Sequence, residues 1–191
     1  MFYAKEKEVF KMDWLLFTGI NNLAGHWHNV DLVMRFLALY GPIFLLLPLV
    51  YLWFAKKEEK AGEERLMVLK AATAASLALS LNLIIGTCYY RPRPFVHHQV
   101  KLLIPHAQDS SFPSDHATLA WALTWSTRAK GMYYGMMALS LLTMVARVYV
   151  GVHYPSDVIG GAVVGIIATL VVEQLWPLVL PVARRLALML P

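Results

Sequence analysis

Residues 30 to 54 read VDLVMRFLALYGPIFLLLPLVYLWF, running from Val30 to Phe54 with Asp31 and Arg35 as their charges. A bilayer core of about 30 Å takes roughly 20 apolar residues in a helix, so a stretch of this kind decides the class of the chain. Three others are comparably long: Leu66 to Cys88, Met132 to Val150, and Val158 to Leu180. Two shorter ones, Trp14 to Leu23 and Ala117 to Ser126, are too apolar for water and read as short or tilted helices packed inside a bundle. The runs are rich in Leu and Ala and lack the period-two alternation of a strand. The expectation is an all-α, polytopic membrane helix bundle of about six transmembrane helices, forming a single integral-membrane domain over residues 1–191.

Composition agrees. Hydrophobic residues make up 58% and charged residues 15% of the chain, with a mean hydropathy of +0.52. Soluble domains average about 45–50% apolar and about 25% charged, and a chain with so few charges and so many aromatics is not disordered. Cys88 is the lone cysteine, which rules out a disulfide framework and a CxxC metal site; it reads as a small packing residue. Gly161 and Gly165 form a small-xxx-small pair that reads as helix packing. The run Lys56-Lys57-Glu58-Glu59-Lys60 reads as a solvated loop or helix end.

The net charge of +5 suits nucleic acid until the charges are placed. With a cytoplasmic N-terminus and six crossings, all but five of the 17 basic residues fall on the cytoplasmic side, the exceptions being Arg35, Arg91, Arg93, Lys101 and Arg147. That is the positive-inside bias of a membrane protein, and no nucleic-acid partner is needed to explain it. Both termini are then cytoplasmic. Leu23-Ala24-Gly25 offers the small residues of a signal-peptide cleavage site, but the apolar stretch before it is short and broken by Asn21 and Asn22. An uncleaved first helix is therefore expected.

The same topology sends Tyr89 to Asp115 and Gly151 to Ser156 to the outer face, with all seven histidines at or near it. Three polar clusters meet there. Arg91-Pro92-Arg93-Pro94 follows the second long span, Pro113-Ser114-Asp115-His116 opens a helix, and Arg147 precedes His153 and Asp157. A charge at the centre of a span costs about 2.5–3.5 kcal/mol, and the bland reading of Arg147 is a side chain snorkelling to the interface. With Arg93 at the same depth, an anion between the two guanidinium groups resolves their repulsion. Ser114 reads first as an N-cap, and the free N–H groups of that first turn favour a phosphate. His116 on the same turn is, alone, an ordinary surface residue. His153 and Asp157 stand four apart across Pro155, so their side chains can meet on one helix face. A carboxylate on one ring nitrogen leaves the other free as a nucleophile. Together these residues describe a site for an anionic phosphoryl group. Carboxylates on the outer face are few, no HExxH pattern occurs, and two arginines repel a cation, so neither a metal nor a cofactor is expected.

Arg93-Pro94, Pro113-Ser114-x-His116 and Arg147-x5-His153-x3-Asp157 resemble the three signature motifs of the type 2 phosphatidic acid phosphatase superfamily. The run from Arg93-Pro94-Phe95-Val96 through Leu103-Ile104-Pro105-His106 to Phe112-Pro113-Ser114-Asp115-His116 is similar, more narrowly, to the BcrC-type undecaprenyl-pyrophosphate phosphatases of bacteria. The resemblance implies that His153 attacks phosphorus, Asp157 orients it, and His116 serves as acid and then base. It further implies that Arg93, Arg147 and Ser114 hold the oxyanions. By the same likeness the substrate is an isoprenoid pyrophosphate at the outer face of the bacterial plasma membrane. The product would be the recycled carrier lipid of peptidoglycan synthesis, with a contribution to bacitracin resistance.

Three positions depart from the family pattern. Gly86 stands where a lysine is usual, Ala146 where a serine often precedes the arginine, and Asp115 where a small residue is common. Without that lysine, Arg91 or Lys101 is expected to meet the inner phosphate. Two other readings stay open: a phosphatidylglycerophosphate or phosphatidic acid phosphatase, and a non-catalytic lipid-phosphate binding or transport protein.

Overall fold

Proline and glycine placement sets the helix ends and their spacing. A computed structural model describes residues 2–54 and 61–189, so the Lys56–Lys60 run lies outside the described residues. Eight helices and no strand occur among them: α1 (Phe2–Asn21), α2 (His28–Phe44), α3 (Leu46–Phe54), α4 (Ala61–Cys88), α5 (Pro94–His97), α6 (Asp115–Ser126), α7 (Tyr133–Tyr149) and α8 (Pro155–Met189). Each of the six stretches expected to be helical is helical over most of its length, with Asn22, Leu23, Leu45, Met132 and Val150 in turns. The stretch from Val30 to Phe54 is divided at Leu45, a break the sequence reading did not place. Its cause is Pro48, which has no N–H to give and whose ring crowds the carbonyl four residues back, at Phe44.

Three helical segments are long and apolar enough to cross a membrane: His28–Phe54, Gly62–Cys88 and Pro155–Ala187. The fourth long candidate folds as α7, whose 17 residues span about 25 Å at 1.5 Å per residue. The outward faces carry Phe36, Tyr51, Leu83, Leu142, Val163 and Leu178, all exposed. A belt of large apolar side chains this extensive belongs against lipid.

Helix α6 is the centre of the bundle, packed against α4, α7 and α8 and touching α2. Ala117, Thr118, Ala120, Ala122, Leu123, Thr124 and Ser126 are all buried along it. Its approach to α8 is close because α8 presents glycine: a Cβ at Gly161 would lie 2.6 Å from the Ser114 carbonyl oxygen, and one at Gly165 2.9 Å from the Ala122 nitrogen. The small-residue pair thus packs α6 within the chain. Hydroxyls add cross-links where hydrocarbon offers no water. Thr124 and Ser140 share a 2.8 Å hydrogen bond, and Thr118 donates to the Gly161 carbonyl at 3.0 Å.

One end of the bundle is closed by the loop from Tyr89 to Ser114. Asn21 pins it, donating to the Lys101 and Tyr149 carbonyls at 2.9 and 2.8 Å while accepting from the Lys101 N–H at 3.0 Å. Gly151 makes this possible. Its φ is +88°, where only glycine is unstrained, and a Cβ there would come within 2.8 Å of the Lys101 carbonyl oxygen.

Candidate active site

His153 sits on the turn between α7 and α8 and is 1% exposed. Its Nδ1 lies 2.9 Å from the Ser111 carbonyl oxygen, which can only accept, so Nδ1 carries the proton and Nε2 the lone pair. Arg93 Nη1 stands 3.1 Å from Nε2 and Arg147 Nη2 3.4 Å from it. Burial, then the charges of Arg147 and Arg93, hold the imidazole well below its ordinary pKa. At neutral pH this is an uncharged ring whose free nitrogen faces two cations.

Each guanidinium is aimed by backbone chemistry. Pro42 lacks an N–H, so the Ala38 carbonyl loses its intrahelical donor, and Arg147 Nη1 supplies one at 3.1 Å. Arg147 is 1% exposed, which removes the snorkelling reading. Its Nη2 meets His106 Nε2 at 3.0 Å, and its Nε has no hydrogen-bond partner among the described residues. Arg93 is held by the Val152 carbonyl at 3.0 Å, the Ser110 carbonyl at 3.3 Å and Asp109 Oδ1 at 2.8 Å.

Asp157 and His153 face each other with Nδ1 and Oδ2 3.6 Å apart. The direct carboxylate–imidazole hydrogen bond expected from sequence is replaced by a relay through one residue. Asp157 accepts from the Ser111 hydroxyl and from the Tyr154 N–H at 2.8 Å, and the Ser111 carbonyl holds the ring. A serine carrying both groups satisfies the carboxylate and the imidazole at once.

Ser114 occupies the N-cap position of α6 with extended backbone, but its side chain makes no cap hydrogen bond. The hydroxyl is fully buried without a partner among the described residues, a state that costs about 1–3 kcal/mol, so the capping reading is corrected. The Ser114 N–H instead donates to the Asp157 carbonyl at 3.1 Å, tying the start of α6 to the first turn of α8. His116, half-buried on the first turn of α6, lies within the fields of Arg147, His153, His106 and Arg93.

Arg91 and Lys101, expected at an inner phosphate, are committed elsewhere. Arg91 is 8% exposed. It forms 2.6 Å ion pairs with Asp13 of α1 and Asp157 and lies 4.2 Å over the Tyr154 ring. It stands behind Asp157, away from Nε2 of His153. Lys101 donates to the Asn22 and Ala24 carbonyls at 3.0 and 2.7 Å and so braces the α1–α2 turn. The physical reason is the same for both: nearby oxygens already neutralise or solvate these cations.

Sequence reading gave no role to Asp13, Ser111 or Asp109, and His106 entered without a role, as one of seven histidines and as part of the run that resembles the BcrC type. Asp13 reaches Arg91 from 78 residues away, a partnership no local pattern announces. Asp109 at i+3 from His106, in a loop that also carries Ser110 and Ser111, was the one available signal. Among the described residues no group of three or more His, Cys, Asp or Glu side chains is placed to hold a metal.

Residues 65–179 match the PAP2 superfamily. The chain is similar to the undecaprenyl-diphosphatase BcrC of Bacillus subtilis, 37% identical over 82% of this chain and 80% of that one. It is also similar to the bacitracin transport permease protein BcrC of Bacillus licheniformis, 34% identical over 82% and 76%. Among solved structures, Aquifex aeolicus LpxE matches with a TM-score of 0.69 at 27% identity, covering 84% of this chain and 94% of that one. A PAP2-type phosphatidylglycerolphosphate phosphatase from Bacillus subtilis shares the fold, with a TM-score of 0.64 at 23% identity over 87% and 85%.

Proposed function

We propose, from the premise that the chain belongs to the PAP2 superfamily, that it hydrolyses undecaprenyl diphosphate to the monophosphate through a phosphohistidine at His153. The observation that carries this reading is the neutral imidazole with its Nε2 between two buried guanidinium groups. A binding protein needs the cations alone. It does not need a lone pair held among them by a tautomer-fixing carbonyl and a carboxylate behind it. That weighs against a non-catalytic transport role.

In the first step Nε2 forms a bond to the terminal phosphorus as the bridging P–O bond breaks. His116, having taken up a proton from solvent as the anionic diphosphate binds, gives it to the departing oxygen of the lipid monophosphate. In the second, His116 takes a proton from water, whose oxygen attacks phosphorus as the P–N bond breaks and orthophosphate leaves. Arg93, Arg147 and the Ser114 hydroxyl hold the oxygens on which charge gathers. Asp157, 3.6 Å from Nδ1, stabilises the cationic phosphoimidazole. No step calls for a metal. The segregation of basic residues supports a site on the extracytoplasmic face of the plasma membrane, where the product would re-enter the carrier-lipid cycle and bacitracin would lose its target.

The test is orthophosphate release by purified protein in detergent with chelator present. Undecaprenyl diphosphate should turn over, and His153→Ala should lower the rate at least about a thousandfold, as loss of a nucleophile does. Faster release from phosphatidylglycerophosphate or phosphatidate would transfer the assignment to those lipids. Release unaffected by His153→Ala would end the mechanism.

A further inference from the structure

A lipid diphosphate brings a second phosphate that the pair Arg93 and Arg147 does not account for. With Arg91 and Lys101 committed elsewhere, that phosphate must be met by another group at the same pocket. His106 is placed for it. Its ring lies 6.3 Å from that of His153 and nearly perpendicular, at 73°. Nε2 is 3.0 Å from Arg147 Nη2, while Nδ1 is 3.2 Å from the Ala107 carbonyl and 3.7 Å from Asp109 Oδ1. Asp109 also takes Arg93 Nε, so one carboxylate spans this imidazole and one of the two guanidinium groups.

Depth separates the two histidines. His153 is buried at 1%, whereas the side chains of His106 and Asp109 are 21% and 61% exposed. A phosphorus in attack position lies about 3 Å from Nε2 of His153. The second phosphorus of a diphosphate is one P–O–P bridge further out, toward the mouth that His106 borders.

Resting on the functional reading above, we propose that His106 is the residue that recognises the inner phosphate. It does so as an imidazolium that donates Nε2–H to an inner-phosphate oxygen while Nδ1–H turns to Asp109. The charged groups around it are Arg93, Arg147, His153, His116 and Asp109. Without substrate, burial and then Arg93 keep the ring below its ordinary pKa, and it is neutral, accepting from Arg147. A bound diphosphate reverses the local field, Arg147 turns its N–H to phosphate, and His106 takes up one proton from water. Affinity for the diphosphate should therefore fall as pH rises through the histidine range, because the proton that binding requires becomes scarcer.

The experiment compares KM and kcat for farnesyl diphosphate with the inhibition constant of orthophosphate, which needs only the terminal-phosphate pocket at Arg93 and Arg147. His106→Gln, neutral and of similar reach, should raise KM about tenfold, the worth of one charge-assisted hydrogen bond. It should leave kcat and the orthophosphate constant within about threefold. The wild-type rise of KM between about pH 6 and about pH 8 should vanish in His106→Gln. His106→Lys, cationic throughout, should restore a low KM without the pH dependence. An unchanged KM in His106→Gln, or an equal loss on diphosphate and orthophosphate, overturns the inference. If His106→Gln does not fold, a wild-type pH dependence in His106→Lys overturns it and a pH-independent KM supports it. A wild type inert toward the diphosphate overturns the functional reading itself, a result distinct from these.

Discussion

Among the described residues Ser114 and Arg147 each bury a polar atom without a hydrogen-bond partner, and in the proposed mechanism both hold phosphate oxygens. A folded protein keeps such atoms at a cost of about 1–3 kcal/mol each, which is justified when a ligand satisfies them. Ser114→Ala therefore removes nothing that the resting fold uses. Its melting temperature should equal or slightly exceed that of the wild type, while kcat falls about tenfold to a hundredfold. Thermal melting beside phosphate release checks both, and a loss of stability without loss of rate would return Ser114 to a purely structural role. The residues of the site were legible in the sequence to the extent that chemistry demands particular side chains. Arg147 could be read because an apolar span does not otherwise carry it, and Arg93, His116 and His153 because they lie in the polar segments between the spans. Arg91 was expected at the inner phosphate, since what draws it away is Asp13, brought in by a different helix. Asp157 was found, but its link to His153 through Ser111 was not, because a backbone carbonyl has no signature.

Helices were legible from hydropathy, and their contacts partly from glycine. The stretches from 14 to 180 that read as spans fold as helices over most of their length, since a run of apolar residues in lipid has few other ways to satisfy its backbone. The break at Leu45 was written in Pro48 and went unread. Gly161 and Gly165 were noticed as a pair, but which helix they admit is settled by α6, whose start carries Ser114 and His116. Gly165→Val tests that element directly. Its added carbons must move the backbone of α6 near Thr118 and Ala122, and overpacking of that kind costs about 1–3 kcal/mol. Activity should drop with stability, because the same shift displaces His116 from His153. Gly135→Val in α7, where nothing lies within 4 Å of the added Cβ, is the control and should melt as wild type. Equal effects of the two substitutions would mean that α6 does not depend on the glycine seam.

Across the whole molecule the charges divide by end. Arg65 and Lys70 lie near the start of α4 and Arg128 and Lys130 just beyond α6, with Arg128 held to Glu173 at 2.7 Å and Lys130 near Glu64 at 3.7 Å. The opposite ends of the same two helices carry Cys88 and His116, beside Arg93 and His153. Basic residues clustered at one end support the proposed orientation, with that end cytoplasmic and the proposed phosphate pocket on the other face. Sequence could order the charges along the chain but could not show that α4 and α6 run side by side with their basic ends in opposite directions of the chain. Cys88 turns this into a measurement, being the single cysteine of the chain and exposed at the pocket end of α4. A membrane-impermeant maleimide added to intact cells should label the wild type and leave Cys88→Ser unlabelled. The extent should not rise when the cells are lysed. Labelling that appears only after lysis would place the pocket in the cytosol, where a lipid diphosphate released on the outer leaflet could not reach it without first being flipped across the bilayer.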